Sequence, residues 1–143
     1  MVEVYLEEKF GRRLIQITQV VTTFGRDEDN DYVVDSNQYS RGVSRHHGAF
    51  LRFDLGAIFD SEIENDKGIK TETIKKDTTS KLIPGDTVKL EYIFGVVDRK
   101  SRNGVWVNGK RVNESYLVDG DIVACASYGT SKGEPWEWKV RIV

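Results

Sequence analysis

The stretch R-G-V-S-R-H-H at residues 41–47 gathers Arg41, Ser44, Arg45, His46 and His47. A nucleophile with its base, a metal site and an anion pocket all draw on these residue types. Neighbouring residues of an extended chain point to opposite faces, so His46 and His47 cannot grip one metal together, and no H-E-x-x-H spacing accompanies them. Ser44 and His47 offer a hydroxyl and a base, but no nucleophile elbow surrounds the serine. A buried histidine at a strand start, holding backbone groups by hydrogen bonds, is the simpler expectation. The sequence reads as no enzyme, with no catalytic residue, no metal site and no cofactor.

Anion binding fits better. Arg26 follows Phe24 and Gly25 at the end of an apolar run; the glycine is expected to allow an unusual backbone angle and to let the arginine project. Ser44 supplies a hydroxyl, and Arg45 a guanidinium fork that matches two phosphate oxygens. Asn103-Gly104 reads as a type I′ turn carrying an amide at its tip. Arginines, a hydroxyl and an amide without an acid among them suit gripping a phosphate ester, not cleaving it. Each also has an ordinary reading: a solvated arginine, a turn cap, plain hairpin chemistry.

These groups need a rigid support. The chain has 143 residues, 38% hydrophobic and 31% charged, enough for one domain with one core. Its net charge of −2 argues against nucleic-acid or membrane binding by bulk electrostatics, so an anion site must be local. The basic residues bunch at Arg41 and Arg45, and again at Arg99, Lys100 and Arg102. Cys125 is the single cysteine, which excludes an internal disulfide and fits a reducing, intracellular compartment, nuclear or cytoplasmic. The start of the chain resembles no signal peptide, and no apolar run approaches the roughly 20 residues of a membrane span. The ending on a strand-like segment reads as a domain cut from a longer protein.

The dominant period is two. Trp136, Trp138, Val140 and Ile142 alternate with Glu137, Lys139 and Arg141, and Val2, Val4 and Leu6 with Glu3, Tyr5 and Glu7. Segments 14–21, 48–53, 87–94 and 122–126 are short, apolar and β-branched or aromatic. Turn signals separate them, among them Pro84-Gly85-Asp86, Asn108-Gly109 and Asp119-Gly120-Asp121. The expectation is an all-β sandwich of two sheets. Function then sits on loops at one end, and 24–47 and 98–112 look least like strands.

F-G-R at 24–26, S-R-H-H at 44–47, S-R-N-G-V-W-V-N-G at 101–109 and L-V-D-G-D-I-V at 117–123 resemble, in this order, the forkhead-associated (FHA) domain. The resemblance spans nearly the whole chain. It implies an eleven-stranded β-sandwich whose loops at one end bind phosphothreonine peptides in signalling. It implies Arg26 and Ser44 at the phosphate, with Arg45 beside them. Asn103 would meet the peptide backbone, and Arg102 the phosphate or a peptide side chain. Gly25, His47, Gly104, Asn108 and Gly109 would be structural. Nuclear DNA-damage response is one setting such domains serve.

The spacing departs from that pattern. The asparagine-glycine turn is expected within about 20 residues of the histidine, yet Asn103 lies far beyond His47. Residues 60–88 echo 98–123, so two readings stand: a β-hairpin inserted at about 61–94, with strands near 68–75 and 86–93, or a duplicated half at 97–143 with Asn65 in the place of Asn103. The insertion is preferred, because Glu62–Lys67 spoils the first turn; at the loop end it would enlarge or cover the groove. Val105 replaces the family's usual threonine, and the gap from Arg41 to Ser44 is atypical. Two rivals to a phosphothreonine reader remain. One is a phosphate-independent interaction domain with a vestigial pocket. The other is self-association through phosphorylated Thr71, Thr73, Thr78 or Thr79.

Overall fold

A computed structural model describes residues 2–54, 92–126 and 134–143. They form two β-sheets. The first has six strands in the order β2 (Leu14–Ile17), β1 (Val4–Glu8), β11 (Glu137–Ile142), β10 (Ile122–Ala124), β7 (Val105–Val107) and β8 (Lys110–Val112). The second has five, in the order β4 (Tyr32–Val33), β3 (Val21–Gly25), β5 (Gly48–Asp54), β6 (Tyr92–Asp98) and β9 (Glu114–Tyr116). The expected all-β sandwich is observed.

Strand alternation builds the core. Val4 and Leu6 of β1, Trp138 and Val140 of β11, Phe24 of β3, Phe50 of β5 and Phe94 and Val96 of β6 are all essentially inaccessible. Trp138 packs edge-on against Phe24 and Phe50, with ring centroids 5.0 and 5.4 Å away. Such pairs add about 0.5–1.5 kcal/mol beyond the area they bury, and they tie the two sheets together directly behind the β3–β5 end that carries Arg26 and His47.

Several details differ from the sequence expectation. The apolar run 14–21 is not one strand. Thr18, Gln19 and Val20 are exposed, and there the chain crosses from β2 in one sheet to β3 in the other. The stretches read as loops contain short strands: β4 lies in 24–47, and the β7–β8 hairpin in 98–112. Two or three residues are too few to show a period. Glu137 is buried, unlike Lys139 and Arg141 on the same strand, and pairs with Lys9 at 3.3 Å.

The extra residues also resolve differently. β5 and β6 pair along their length from Gly48↔Asp98 to Asp54↔Tyr92, so 92–94 belong to the framework and not to an insert. Strands from β7 onward are built into both sheets of one sandwich. The remainder of the expected hairpin, with Asn65, lies outside the described residues. Its points of attachment, Asp54 and Tyr92, are at the opposite end of the β5–β6 ladder from His47, roughly 20 Å away at the rise of an extended strand. An attachment beside the pocket is therefore excluded.

Candidate functional site

The site is assembled from three chain segments at one end of the sandwich. The first follows β3. Gly25 is buried, and a Cβ on it would lie 2.0 Å from the Arg45 carbonyl oxygen. Its φ is not positive, since only Gly104, Gly109 and Gly120 among the described glycines have positive φ. Close approach of two backbones, not an unusual angle, demands glycine here. That approach lets the Arg26 and Asp27 amides donate to the carbonyls of Ser44 and Arg45 at 3.2 and 3.1 Å. The first segment is thus zipped to the second.

Asn30, which sequence reasoning missed, reinforces this seam. It is buried, and its Nδ2 donates to the carbonyls of Asp27 at 2.8 Å and Arg45 at 2.7 Å. Arg26 itself is exposed, with Nε donating to the Val43 carbonyl. This tethers the guanidinium through Nε to the second segment.

His47 joins the second segment to the third. The imidazole is fully buried. Its Nδ1 accepts from the Ser44 amide at 3.0 Å, and its Nε2–H donates to the Gly104 carbonyl at 2.7 Å. Both nitrogens are occupied, which sets one neutral tautomer. Burial lowers the His47 pKa, opposed by the Gly104 bond and by Asp98. The ring therefore serves as a strut, and neither nitrogen is free to take a proton from Ser44. His46 turns the other way, to Asp29 at 2.8 Å and Asp27 at 3.7 Å on the surface.

The third segment is the β6–β7 loop. Asp98 Oδ1 accepts from the Ser101 amide, and Ser101 Oγ from the Gly104 amide, both at 3.0 Å. The Trp106 indole donates to the Asn103 carbonyl at 2.9 Å. With these anchors, Val105 lies wholly buried and needs no hydroxyl. Gly104 has φ +87° while Asn103 does not have positive φ, so this is not the expected type I′ turn. That geometry occurs at Asn108-Gly109, with φ +50° and +82°, closing β7 onto β8. Asn108 also holds Asp121 and the Ile122 amide, at 3.0 and 2.9 Å.

The segments meet at Ser44 and Asn103. Ser44 Oγ accepts from the Arg102 amide at 3.0 Å, so its own proton points elsewhere and can serve an acceptor. Asn103 Nδ2 donates to the Gly42 carbonyl at 2.9 Å. Arg26, Arg41, Ser44, Arg102 and Asn103 line one cavity of about 340 Å³ together with Tyr39 and Glu134. Arg26, Arg41 and Arg102 have no ion-pair partner among the described residues, whereas Glu134 is held by Lys9 at 3.4 Å. Of the expected anion-binding residues, Arg45 alone is not in this lining; its carbonyl serves the seam and its side chain is exposed. Arg41, Tyr39 and Glu134 were not predicted, and only the bunching of arginines hinted at Arg41.

A two-sheet sandwich with a cation-rich loop pocket at one end defines the class of fold. The family model of the FHA domain matches residues 22–125, and the chain belongs to this family. No curated protein matches it. Among solved structures it is similar to Mycobacterium tuberculosis EmbR in complex with a low affinity phosphopeptide, with TM-score 0.56 and 22% identity over 97% of this chain and 24% of that one. It thus spans about a quarter of EmbR. It is also similar to the FhaA FHA domain complexed with the intracellular domain of Rv3910 (TM-score 0.53, 20% identity, 99% and 100% covered). A third is the yeast Dun1 FHA domain in complex with a doubly phosphorylated peptide derived from Rad53 SCD1 (TM-score 0.54, 19% identity, 99% and 73% covered). No helix among the described residues is long and apolar enough to cross a membrane.

Proposed function

We propose that this domain is a phosphothreonine-dependent protein-binding module. One observation carries the reading: three arginines without ion-pair partners among the described residues, a serine hydroxyl with a free proton and an asparagine amide share one open cavity. In this reading Arg26 and Ser44 hold the phosphate, Arg102 assists, Arg45 reaches in from the rim, and Asn103 meets the peptide backbone. Gly25, His47 and Gly104 keep the three loops in place, while Asn108 and Gly109 hold the neighbouring hairpin.

Phosphorylation adds a charge of about −1.5 to −2 and three strong acceptors, and hydrogen bonds to charged groups contribute roughly 1.5–3 kcal/mol each. Ordering a peptide in an open groove offsets much of that sum, so micromolar affinity is expected. Such a module recruits phosphorylated partners in intracellular signalling, without catalysis, cofactor or direct contact with nucleic acid or membrane. The setting is nuclear or cytoplasmic, and DNA-damage response is one instance; similar FHA structures come from bacteria as well as yeast.

The test is a fluorescence-anisotropy titration with phosphothreonine, phosphoserine and unphosphorylated peptide pools against wild type, Arg26→Ala and Asn103→Ala. Micromolar binding confined to the phosphothreonine pool, weakened at least about tenfold by Arg26→Ala, is the expected result. Equal binding of all pools, unaffected by Arg26→Ala, would instead favour a phosphate-independent interaction domain. A mass that rises only after phosphorylation of the domain itself would identify self-association, whose candidate threonines at 71, 73, 78 and 79 lie outside the described residues.

A further inference from the structure

The outer face of the second sheet departs from the usual pattern of a sandwich. An antiparallel sheet with one face on the core commonly carries polar residues on the other. In β5 that alternation is inverted. Phe50 and Arg52 point inward, where Arg52 is buried and donates to the carbonyls of Ile17 and Val2, so Leu51 and Phe53 are left outside. In β6, Phe94 and Val96 fill the core, and Ile93, Gly95 and Val97 take the outer positions. The register carries the apolar surface sideways, with Val21 of β3 opposite Leu51 and Tyr116 of β9 opposite Gly95. Phe53 and Val21 are 38% and 44% exposed.

This surface also has relief. Leu51, Gly95 and Tyr116 lie side by side in one cross-strand row. Gly95 has no side chain, and a Cβ there would stand 2.9 Å from the Ser115 carbonyl oxygen, so the row dips at its centre. Leu51, Phe53, Ile93, Val97 and Tyr116 surround the dip in a cavity of about 590 Å³. It is larger than the arginine-lined cavity and shares no described residue with it. Glu114 is the one charged residue among the described residues of its lining. Apolar surface of this extent marks an association site.

An exposed ring beside a hollow is self-complementary. Under a two-fold axis, Phe53 of one copy enters the hollow over Gly95 of its partner, and the reverse contact forms with it. Sheet faces pack in this manner about 10 Å apart. The β5–β6 ladder is about 20 Å long and four strands are about as wide. Two such faces therefore bury on the order of 1,000 Å², the least that a specific pair needs. A single peptide strand would cover only part of that width. We infer that the outer face of β3, β5, β6 and β9 is a homodimer interface that forms without phosphorylation, with Phe53 as its anchor. It goes beyond the phosphothreonine reading and does not depend on it. Affinity is low, because the area is near the minimum. Both arginine-lined pockets stay open in the pair, since their lining takes no part in the interface.

The experiment is sedimentation velocity on the whole unphosphorylated chain, from low micromolar to millimolar concentration, with Phe53→Lys and Val143→Lys alongside. Val143 is 72% exposed and follows β11 in the first sheet. Wild type should pass from the mass of one copy to that of two, and Val143→Lys should follow it. Phe53→Lys should raise the dissociation constant at least about tenfold. Amide chemical shifts recorded through the same dilution should move at Leu51, Gly95 and Tyr116. Thermal melts in dilute solution separate a lost pair from a lost fold. Should Phe53→Lys melt lower, Val21→Lys, at a more exposed position, repeats the test and should weaken the pair likewise. A wild type that keeps the mass of one copy throughout overturns the inference. A lower melt of its Phe53→Lys variant then assigns the face to another part of the same chain, and an unchanged melt to a different protein. A dimer unaffected by Phe53→Lys and Val21→Lys overturns it in favour of another surface. A dimer that appears only after phosphorylation of the chain overturns it in favour of phosphate-dependent self-association.

Discussion

His47 and Gly104, 57 positions apart in the chain, are joined by a 2.7 Å hydrogen bond from Nε2–H to the carbonyl oxygen. The other ring nitrogen holds the Ser44 amide. One buried side chain thus spans two of the three loops of the pocket. Replacing it leaves a buried carbonyl and a half-buried amide without partners, besides a void the size of a ring. His47→Ala should lower the unfolding free energy by about 2–4 kcal/mol, read from urea denaturation. Phosphopeptide binding should fall in parallel even where the variant remains folded.

The same ring makes stability depend on pH. Burial lowers the folded-state pKa of His47 below the ordinary 6.5, so the unfolded chain takes up a proton that the folded chain refuses. The His47 contribution is fully present above about pH 6.5. It is lost as pH falls from there through the depressed folded value. Denaturation midpoints measured in steps from pH 8 to pH 5 should decline over the lower part of that range. The decline should be shallower in His47→Ala.

Gly25 and Gly109 offer a contrast between two reasons for glycine. At Gly25 a methyl group would run into the Arg45 carbonyl at 2.0 Å, so Gly25→Ala must part the seam that carries Arg26. A loss of about 2 kcal/mol or more, with weakened phosphate binding, is expected. At Gly109 nothing lies within 4 Å, but φ is +82°. Gly109→Ala should cost only about 1–2 kcal/mol of backbone strain, with phosphate affinity unchanged. Paired thermal melts and anisotropy titrations would separate the two.

Glu8 is buried and holds Arg13 Nε and Nη2 at 2.9 Å, the Arg13 amide at 3.2 Å, and the Tyr32 hydroxyl. Trp138 Nε1 in turn donates to that hydroxyl at 2.8 Å. The network stitches the β1–β2 hairpin to β4 and to the central tryptophan. Glu8→Ala should destabilise the domain by about 1–3 kcal/mol, because it takes the acceptor from the buried Tyr32 hydroxyl while Arg13, which is half exposed, is left to solvent. Chemical denaturation would measure it.

Cys125 is buried in the core, and burial holds its thiol well above the usual range. A thiol-specific reagent should find no reactive group in the folded protein and one equivalent after unfolding. The rate of labelling then reports opening of the core, and it should rise sharply in Glu8→Ala.

Much of this architecture was legible because strand alternation is a strong signal where a strand is long and half buried. The Trp136–Ile142 segment and Val2–Leu6 read correctly for that reason. β4, β7, β8 and β9, of two or three residues each, carry no period to read. The crossing at Thr18–Val20 was hidden because its residues look β-prone. Ser44 and Asn103, which line the cavity, and the buried His47 were singled out by residue type and motif. The side-chain lining from Arg41, Tyr39 and Glu134 was not, since cavities arise from loops that meet only in three dimensions. The turn at Asn103 misread for a similar reason: the dipeptide favours type I′, but bonds from Ser101, Trp106 and His47 decide the loop.

The ladder between β5 and β6 ends with Asp54 facing Tyr92, far from the arginines. Because these two residues are already neighbours, the chain between them closes a ring whose entropy grows only with the logarithm of its length, about 0.6 kcal/mol for each doubling. A change in the length of that interval therefore costs little in closure entropy, while the arginine-bearing loops are held by the contacts of Gly25 and His47. At one end of the ladder a change of chain length is cheap; at the other a single methyl group on Gly25 meets the Arg45 carbonyl.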